Sequence, residues 1–377
     1  MKKKILIWGM SDFPGGIESV IINYLSNFNL DRLQFDFIIS GFKKIAYAER
    51  IEKMGSRVFY FPKKRKNPYK YYRELKKFFK NTGNKYDAIW FNSNDLANID
   101  CLKLAKKVGI KTRIIHSHNS RITGTGLNAI RKKVFHQINK QNIVNIATDY
   151  WACSTVAANW MYPKNVRVKI IKNAISQKKF EFSNKKRKKL IKKYSLQNSV
   201  IIGNVGRLYF QKNQFFTIEV FRKFLKKVPN AKLVLVGDGP DRAKILKRLE
   251  ALRLQDKVLL VGQQSDMQAW YSLFDIFLFP SLFEGLSVAL LEAQANGVPI
   301  LSSDRVSPNE IKLNNNFYYM SLNQGSRQWS RNLLYILYHS KRIDPVEIHN
   351  NFILHGYEIR TAAKRLEEFF EKQDNNE

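Results

Sequence analysis

Short apolar runs of strand length recur along this chain, each followed by a stretch of helical periodicity, and this alternation constrains the fold most. The runs KILIWG (4–9), FDFIIS (35–40), RVFYF (57–61), YDAIWF (86–91) and RIIHSH (113–118) read as strands, with helical segments such as IESVIINYLSNF (17–28) between them. The pattern restarts with SVIIGNVG (199–206), AKLVLVG (231–237), KVLLVG (257–262), DIFLFP (275–280) and VPILSS (298–303). Strand–helix–strand repetition demands parallel pairing with right-handed crossovers. Two such blocks predict an α/β chain of two Rossmann-like, doubly wound parallel-sheet domains.

Length and composition fit that reading. The 377 residues, 44% of them apolar, exceed one ordinary core and suffice for two. The seam is expected near IIKNAIS (170–176), before the basic helix SNKKRKKLIKKYSL (183–196). The polar tail KQDNNE is expected to be disordered. Two cysteines, Cys101 and Cys153, supply neither a disulfide framework nor a metal cluster, which points to a reducing compartment. The opening MKKKILIWGMSDF has too short an apolar run for a signal peptide and reads as a first strand. No window approaches the ~18 apolar residues of a membrane span.

The charge is extreme: 65 Lys and Arg against 31 Asp and Glu give +34. Such a chain seeks polyanions or an anionic membrane. A nucleic-acid-binding protein is the alternative reading, but no recognition module or stacking groove is evident. The basic, aromatic segments 61–79 and 121–140 suit either an anionic lipid surface or a solvated helix face.

In open α/β sheets, ligands bind at the carboxyl ends of strands. After the first strand, Gly15 and Gly16 lead into a helix; they are either a tight turn or an anion site at a helix N-terminus. After the strand ending at Gly206 come Arg207 and Lys212, two cations able to neutralise a diphosphate, or simply two surface charges. His116 and His118 close the fifth strand, as structural residues or as ligand contacts. The segment FPSLFEGLSVALLEAQANGVP (279–299) sets Glu284 and Glu292 eight residues apart among small and apolar neighbours. Fully helical, they would lie ~12 Å apart, too far for the two carboxyls of a glycosidase but suited to the two ends of a longer ligand. Gly285, Leu286 and Ser287 open the helix between them, with Ser287 the expected cap. A nucleoside diphosphate sugar has this order of parts: sugar, diphosphate, ribose.

With GGIE (15–18), HSHN (116–119), KNAI (172–175), GRLYFQKN (206–213), GDGP (237–240) and the Glu284–Glu292 element together, the chain resembles the retaining GT-B glycosyltransferases of glycosyltransferase family 4, particularly their bacterial capsule and exopolysaccharide branch. Ala174 stands where that family commonly has glycine. The resemblance implies two domains facing across a cleft. An acceptor domain would span 1–173 and a nucleotide-sugar domain 174–355, with a helix at 356–377 packing back on the first. It implies that Glu292 binds the ribose diol and Glu284 the hydroxyls of the transferred sugar. Arg207 and Lys212 would hold the diphosphate, with Gly16 and the backbone at Leu286 and Ser287 completing that site. His118 would position the reacting sugar, and Gly262 and Gln263 would lie beside the base. The expected reaction is metal-independent transfer, with no cofactor, of a hexose or N-acetylhexosamine. The donor would be a UDP-sugar and the acceptor a lipid-linked oligosaccharide, at the inner face of the cell membrane and with no nucleic acid partner.

Overall fold

The computed structural model describes residues 2–41, 44–122, 126–306 and 308–372, without the side chains of 308 and 309. Most of the tail expected to be disordered, 373–377, lies outside them. The chain divides into two compact units, Met1–Ala174 with Ile359–Glu377, and Ile175–Glu358.

In the first unit the described strands are β1 (Lys3–Trp8), β2 (Leu33–Ser40), β3 (Val58–Phe61), β4 (Ala88–Ser93), β5 (Thr112–Ser117), β6 (Asp149–Ala152) and β7 (Lys169–Ile170). They form one parallel sheet in the order β3-β2-β1-β4-β5-β6-β7. The central strands carry unbroken apolar runs, such as Ile5-Leu6-Ile7 and Ile89-Trp90-Phe91, because helices cover both faces of such a sheet. The helix Ile359–Glu371 belongs to this unit. Its Phe370 meets Phe28, Phe35, Trp90 and Trp151 at ring distances of 6.3, 6.2, 6.1 and 6.0 Å, mostly edge-on.

The second unit contains β8 (Val200–Val205), β9 (Ala231–Val236), β10 (Val258–Gly262), β11 (Ile276–Phe279), β12 (Ile300–Ser303) and β13 (Phe317–Met320). The order is β10-β9-β8-β11-β12-β13, again all parallel. Ile202, Phe221, Leu233, Leu235, Leu278 and Trp329 lie in its core. Gly203 is needed there, since a Cβ on it would stand 2.2 Å from the Phe274 ring. Cys101 and Cys153 are both buried.

Both sheets reverse direction at their first strand, so the switch points lie between β1 and β4 and between β8 and β11. A crevice opens there at the carboxyl ends of such strands. The physics of the fold therefore directs attention to four loops.

Candidate functional site

In the second unit, the loops after β8 and β11 are sewn together. Leu282 N–H donates to Gln211 O at 2.8 Å, Gln211 Nε2 to Phe283 O at 2.9 Å, and Asn213 Nδ2 to Pro280 O at 3.1 Å. Asn213 adopts the left-handed conformation (φ 57°) that ends the short turn Phe210–Lys212. This stitching carries Lys212 to Glu284, with Nζ 2.8 Å from Oε1. The ammonium also lies 4.7 Å over the Phe279 ring. Gly206 makes room for the lysine stem: a Cβ there would press on Lys212 Cδ and Cε at 3.1 Å. Gly237 abuts Gly206 in turn, since a Cβ on it would fall 2.1 Å from Gly206 O, and its N–H donates to Gly262 O at 2.8 Å. The ends of β8, β9 and β10 are thereby locked edge to edge. Gln263 is exposed just beyond β10, and Arg207 is exposed with its guanidinium 5.7 Å from the Tyr209 ring.

Glu284 is 8% exposed and leads through Gly285 and Leu286 to Ser287, the N-cap of helix Val288–Asn296. The sequence expectation for Ser287 needs correction here. It occupies the cap position, but its side chain makes no capping bond, and Oγ is buried with no hydrogen-bond partner among the described residues. A buried hydroxyl and a helix start, whose first N–H groups no intrahelical carbonyl can reach, make a ready-made anion site. The fully helical spacing considered for the two glutamates does not hold either, because the helix begins only at Val288. Glu284 precedes the helix, whereas Glu292 lies in its second turn.

Glu292 is partly buried and accepts a hydrogen bond from Tyr271 Oη at 2.9 Å. Burial pushes its carboxyl up to about 7, against the smaller opposing effects of the tyrosine and of Lys179. The carboxyl is thus poised near neutrality, able to accept from vicinal hydroxyls once ionised.

In the first unit, the carboxyl ends of β4 and β5 bring Asn92 to His118, with Oδ1 2.8 Å from Nε2. Asn92 Nδ2 donates to Trp8 O and Trp90 O at 3.3 and 3.2 Å, which turns its acceptor oxygen toward the imidazole. An amide oxygen only accepts, so this network assigns the proton of His118 to Nε2 and leaves Nδ1 as an acceptor. Burial pushes His118 down to about 3, so the ring is neutral. His116 is fully buried beneath it, with ring centres 4.0 Å apart, and accepts from Trp90 Nε1 at 3.3 Å. Of the two histidines left open by the sequence, His116 is therefore a core residue. Gly15 caps helix Gly16–Leu25, but its N–H donates to Glu18 Oε2 at 3.1 Å, while Ser11 N–H and Oγ donate to Oε1 at 2.9 and 2.7 Å. The GGIE motif thus engages the N–H of its own cap residue with an internal carboxylate. Gly16 retains open space where a Cβ would stand.

Sequence reasoning passed over Asn92, Tyr271 and Phe279. A signal existed for Asn92, a polar residue near the end of a buried strand beside the histidine strand. None existed for Tyr271, which reaches Glu292 only through packing of the helix Met267–Leu273. Among the described residues no cluster of three or more His, Cys, Asp or Glu side chains could hold a metal.

Comparison with known proteins places these features in context. Residues 185–319, the span from before Arg207 to beyond Glu292, match the family Glycosyl transferases group 1. The chain is 28% identical over 302 residues to EpsF of Bacillus subtilis (strain 168), named as a glycosyltransferase, covering 78% of this chain and 77% of that one. It is 29% identical over 161 residues to an Escherichia coli protein named UDP-Gal:alpha-D-GlcNAc-diphosphoundecaprenol alpha-1,3-galactosyltransferase, covering 42% of this chain and 41% of the other. The crystal structure of Anabaena HepE in complex with UDP and glucose superposes with a TM-score of 0.79 at 17% identity, over 98% of this chain and 99% of that one. That likeness establishes the GT-B fold.

Proposed function

We propose that this glycosyltransferase, whose group 1 domain spans residues 185–319, moves a hexose or N-acetylhexosamine from a UDP-sugar to a lipid-linked oligosaccharide in exopolysaccharide or capsule synthesis. The reading rests chiefly on one observation. At the switch point of the second sheet, a buried Lys212–Glu284 pair stands before a helix start whose Ser287 hydroxyl has no partner among the described residues, and Glu292 follows in that helix. Anion donors lie between two carboxylates, as a sugar–diphosphate–ribose ligand requires. The UDP and glucose bound by HepE, and the undecaprenol-linked acceptor in the Escherichia coli relative's name, support the choice of donor and acceptor classes.

In the proposed reaction the bond from the anomeric carbon to the β-phosphate oxygen breaks, and its electron pair leaves with the diphosphate. The acceptor hydroxyl bonds to that carbon, and its proton passes to the departing phosphate oxygen. Attack from the face of departure gives retention. Arg207, Lys212 and the helix start act where charge develops, the largest catalytic contribution in most enzymes. These cations let transfer run without a metal or cofactor. Glu292 holds the ribose diol, Glu284 the sugar hydroxyls, and Gly262 and Gln263 flank the base. His118 steadies a sugar hydroxyl through Nδ1. The reaction takes place at the inner face of the membrane that carries the acceptor.

A thermal-shift screen against nucleotides and nucleotide sugars tests the donor site. A ligand at 100 times its Kd stabilises the fold by about 2.7 kcal/mol. The expected result is a shift with UDP and one UDP-sugar that is lost in Glu292→Ala. No shift with any nucleotide would overturn the proposal.

A further inference from the structure

The helix Gly126–Asn142 is packed the wrong way round for a soluble surface. Its buried residues are the polar His136 and Asn139. Its exposed face carries Leu127, Ile130, Val134, Phe135 and Ile138, with Leu127 85% and Ile130 61% accessible. Positions 127, 130, 134 and 138 follow the i, i+3, i+7, i+11 spacing of one helical face, opposite the buried pair.

Polar contacts pin this orientation. His136 stacks on Trp160 at 4.2 Å and accepts from Leu96 N–H, and Asn139 Nδ2 donates to Leu96 O at 2.7 Å. Lys140 Nζ donates to Asn159 O and Trp160 O, and Lys132 pairs with Asp95 at 3.7 Å. Rolling the helix to hide its apolar stripe would break all of these. The other basic segment behaves differently. The helix Pro68–Thr82 buries Tyr71, Leu75 and Phe79 in the ordinary way, and Lys64 is held by Asp100 at 2.6 Å.

We infer that the Gly126–Asn142 helix is a membrane-docking surface whose partner is an anionic lipid bilayer. The exposed Arg131 and Lys133 flank the stripe, Lys132 and Lys140 being held by Asp95 and by backbone carbonyls, and the helix carries no acidic residue. A basic rim around an outward apolar stripe matches the interface of an anionic leaflet, where rings and aliphatic chains enter the acyl boundary and cations meet headgroups. The same charge disfavours a second copy of the chain, since two all-cationic faces would repel. This inference is independent of the transfer chemistry, because lipid binding is read without donor or acceptor.

Co-sedimentation of the full chain with phosphatidylcholine vesicles, with and without about 30% phosphatidylglycerol, tests it. Binding is expected to the anionic vesicles and to fall at least about tenfold in Ile130→Asp/Ile138→Asp, with the melting temperature unchanged because both side chains are exposed. A dye on Val134→Cys should shift to the blue on those vesicles alone; Cys101 and Cys153, being buried, stay unlabelled. Undiminished binding by the aspartate variant, equal binding to neutral vesicles, or no binding by the parent chain would each overturn the inference. So would a dimer in light scattering that the aspartate substitutions dissociate.

Discussion

Lys212 and Glu284, 72 residues apart, form a 2.8 Å ion pair whose side chains are only 17% and 9% exposed. A pair this far out of water owes its net worth to geometry, and losing one member costs more than losing both. Lys212→Met is therefore expected to destabilise the second unit by about 3 kcal/mol, and Lys212→Met/Glu284→Gln by less. Denaturant unfolding of both variants and of Glu284→Gln checks this; additive losses would mean the pair is not coupled.

The same lysine is proposed to face the departing diphosphate. Lys212→Met should then lower kcat by about 10²- to 10³-fold, the usual cost of removing one charge-stabilising donor. Transfer from the donor identified by thermal shift to the proposed lipid-linked acceptor measures it, with EDTA expected to have no effect. Loss of turnover in EDTA would refute the metal-independent mechanism.

Glu292 predicts a pH dependence. Its folded carboxyl titrates near 7, above the unfolded value of 4.5, so the folded state holds its proton longer. Stability is then unaffected below 4.5 and falls as pH rises from 4.5 to 7. Glu292→Gln should raise stability by up to about 3 kcal/mol at pH 8 and by nothing at pH 4. Melting curves at the two pH values separate this from a generic effect of the substitution.

His118 acts at the other end of the scale. Its folded ring titrates near 3 and the unfolded one near 6.5, so the unfolded chain binds the extra proton first. Stability is lost as pH falls below 6.5, with about 2 kcal/mol gone by pH 5 from this residue. His118→Asn should flatten that acid limb by the same amount. Asn92→Leu should lower the melting temperature, because Trp8 O, Trp90 O and His118 Nε2 lose their partner. Under the role proposed for His118, it should also lower kcat more than it raises KM, because the ring's tautomer is no longer fixed.

Gly203→Ala places a methyl 2.2 Å from the Phe274 ring, and repacking that contact should cost about 3 kcal/mol or more. Adding Phe274→Leu should recover part of the loss.

The sequence was most legible where burial is two-sided. β1 to β5 and β8 to β12 fall on the apolar runs read as strands; the central ones leave no polar face to blur the signal, and the edge strands β3 and β10 still carry apolar runs of their own. β6, β7 and β13 were not foreseen. DYWA begins with a charge, Lys169–Ile170 is an exposed two-residue edge, and FYYM is too short to show a period. Glu284, Lys212 and Glu292 could be singled out because charge is conspicuous among apolar neighbours. That Lys212 would pair with Glu284, that Ser287 would be buried without a capping bond, and that Tyr271 would hold Glu292 depend on long-range packing. No local pattern encodes those contacts.

The placement of Phe370 bears on how the chain is made. Its partners Phe28, Phe35, Trp90 and Trp151 leave the ribosome early, yet the ring that completes their packing follows Trp151 by roughly ten to forty seconds at ordinary rates of synthesis. The second unit is continuous in sequence and can close in that interval. The later half can therefore close before the aromatic packing of the earlier half is complete, since that packing awaits residue 370.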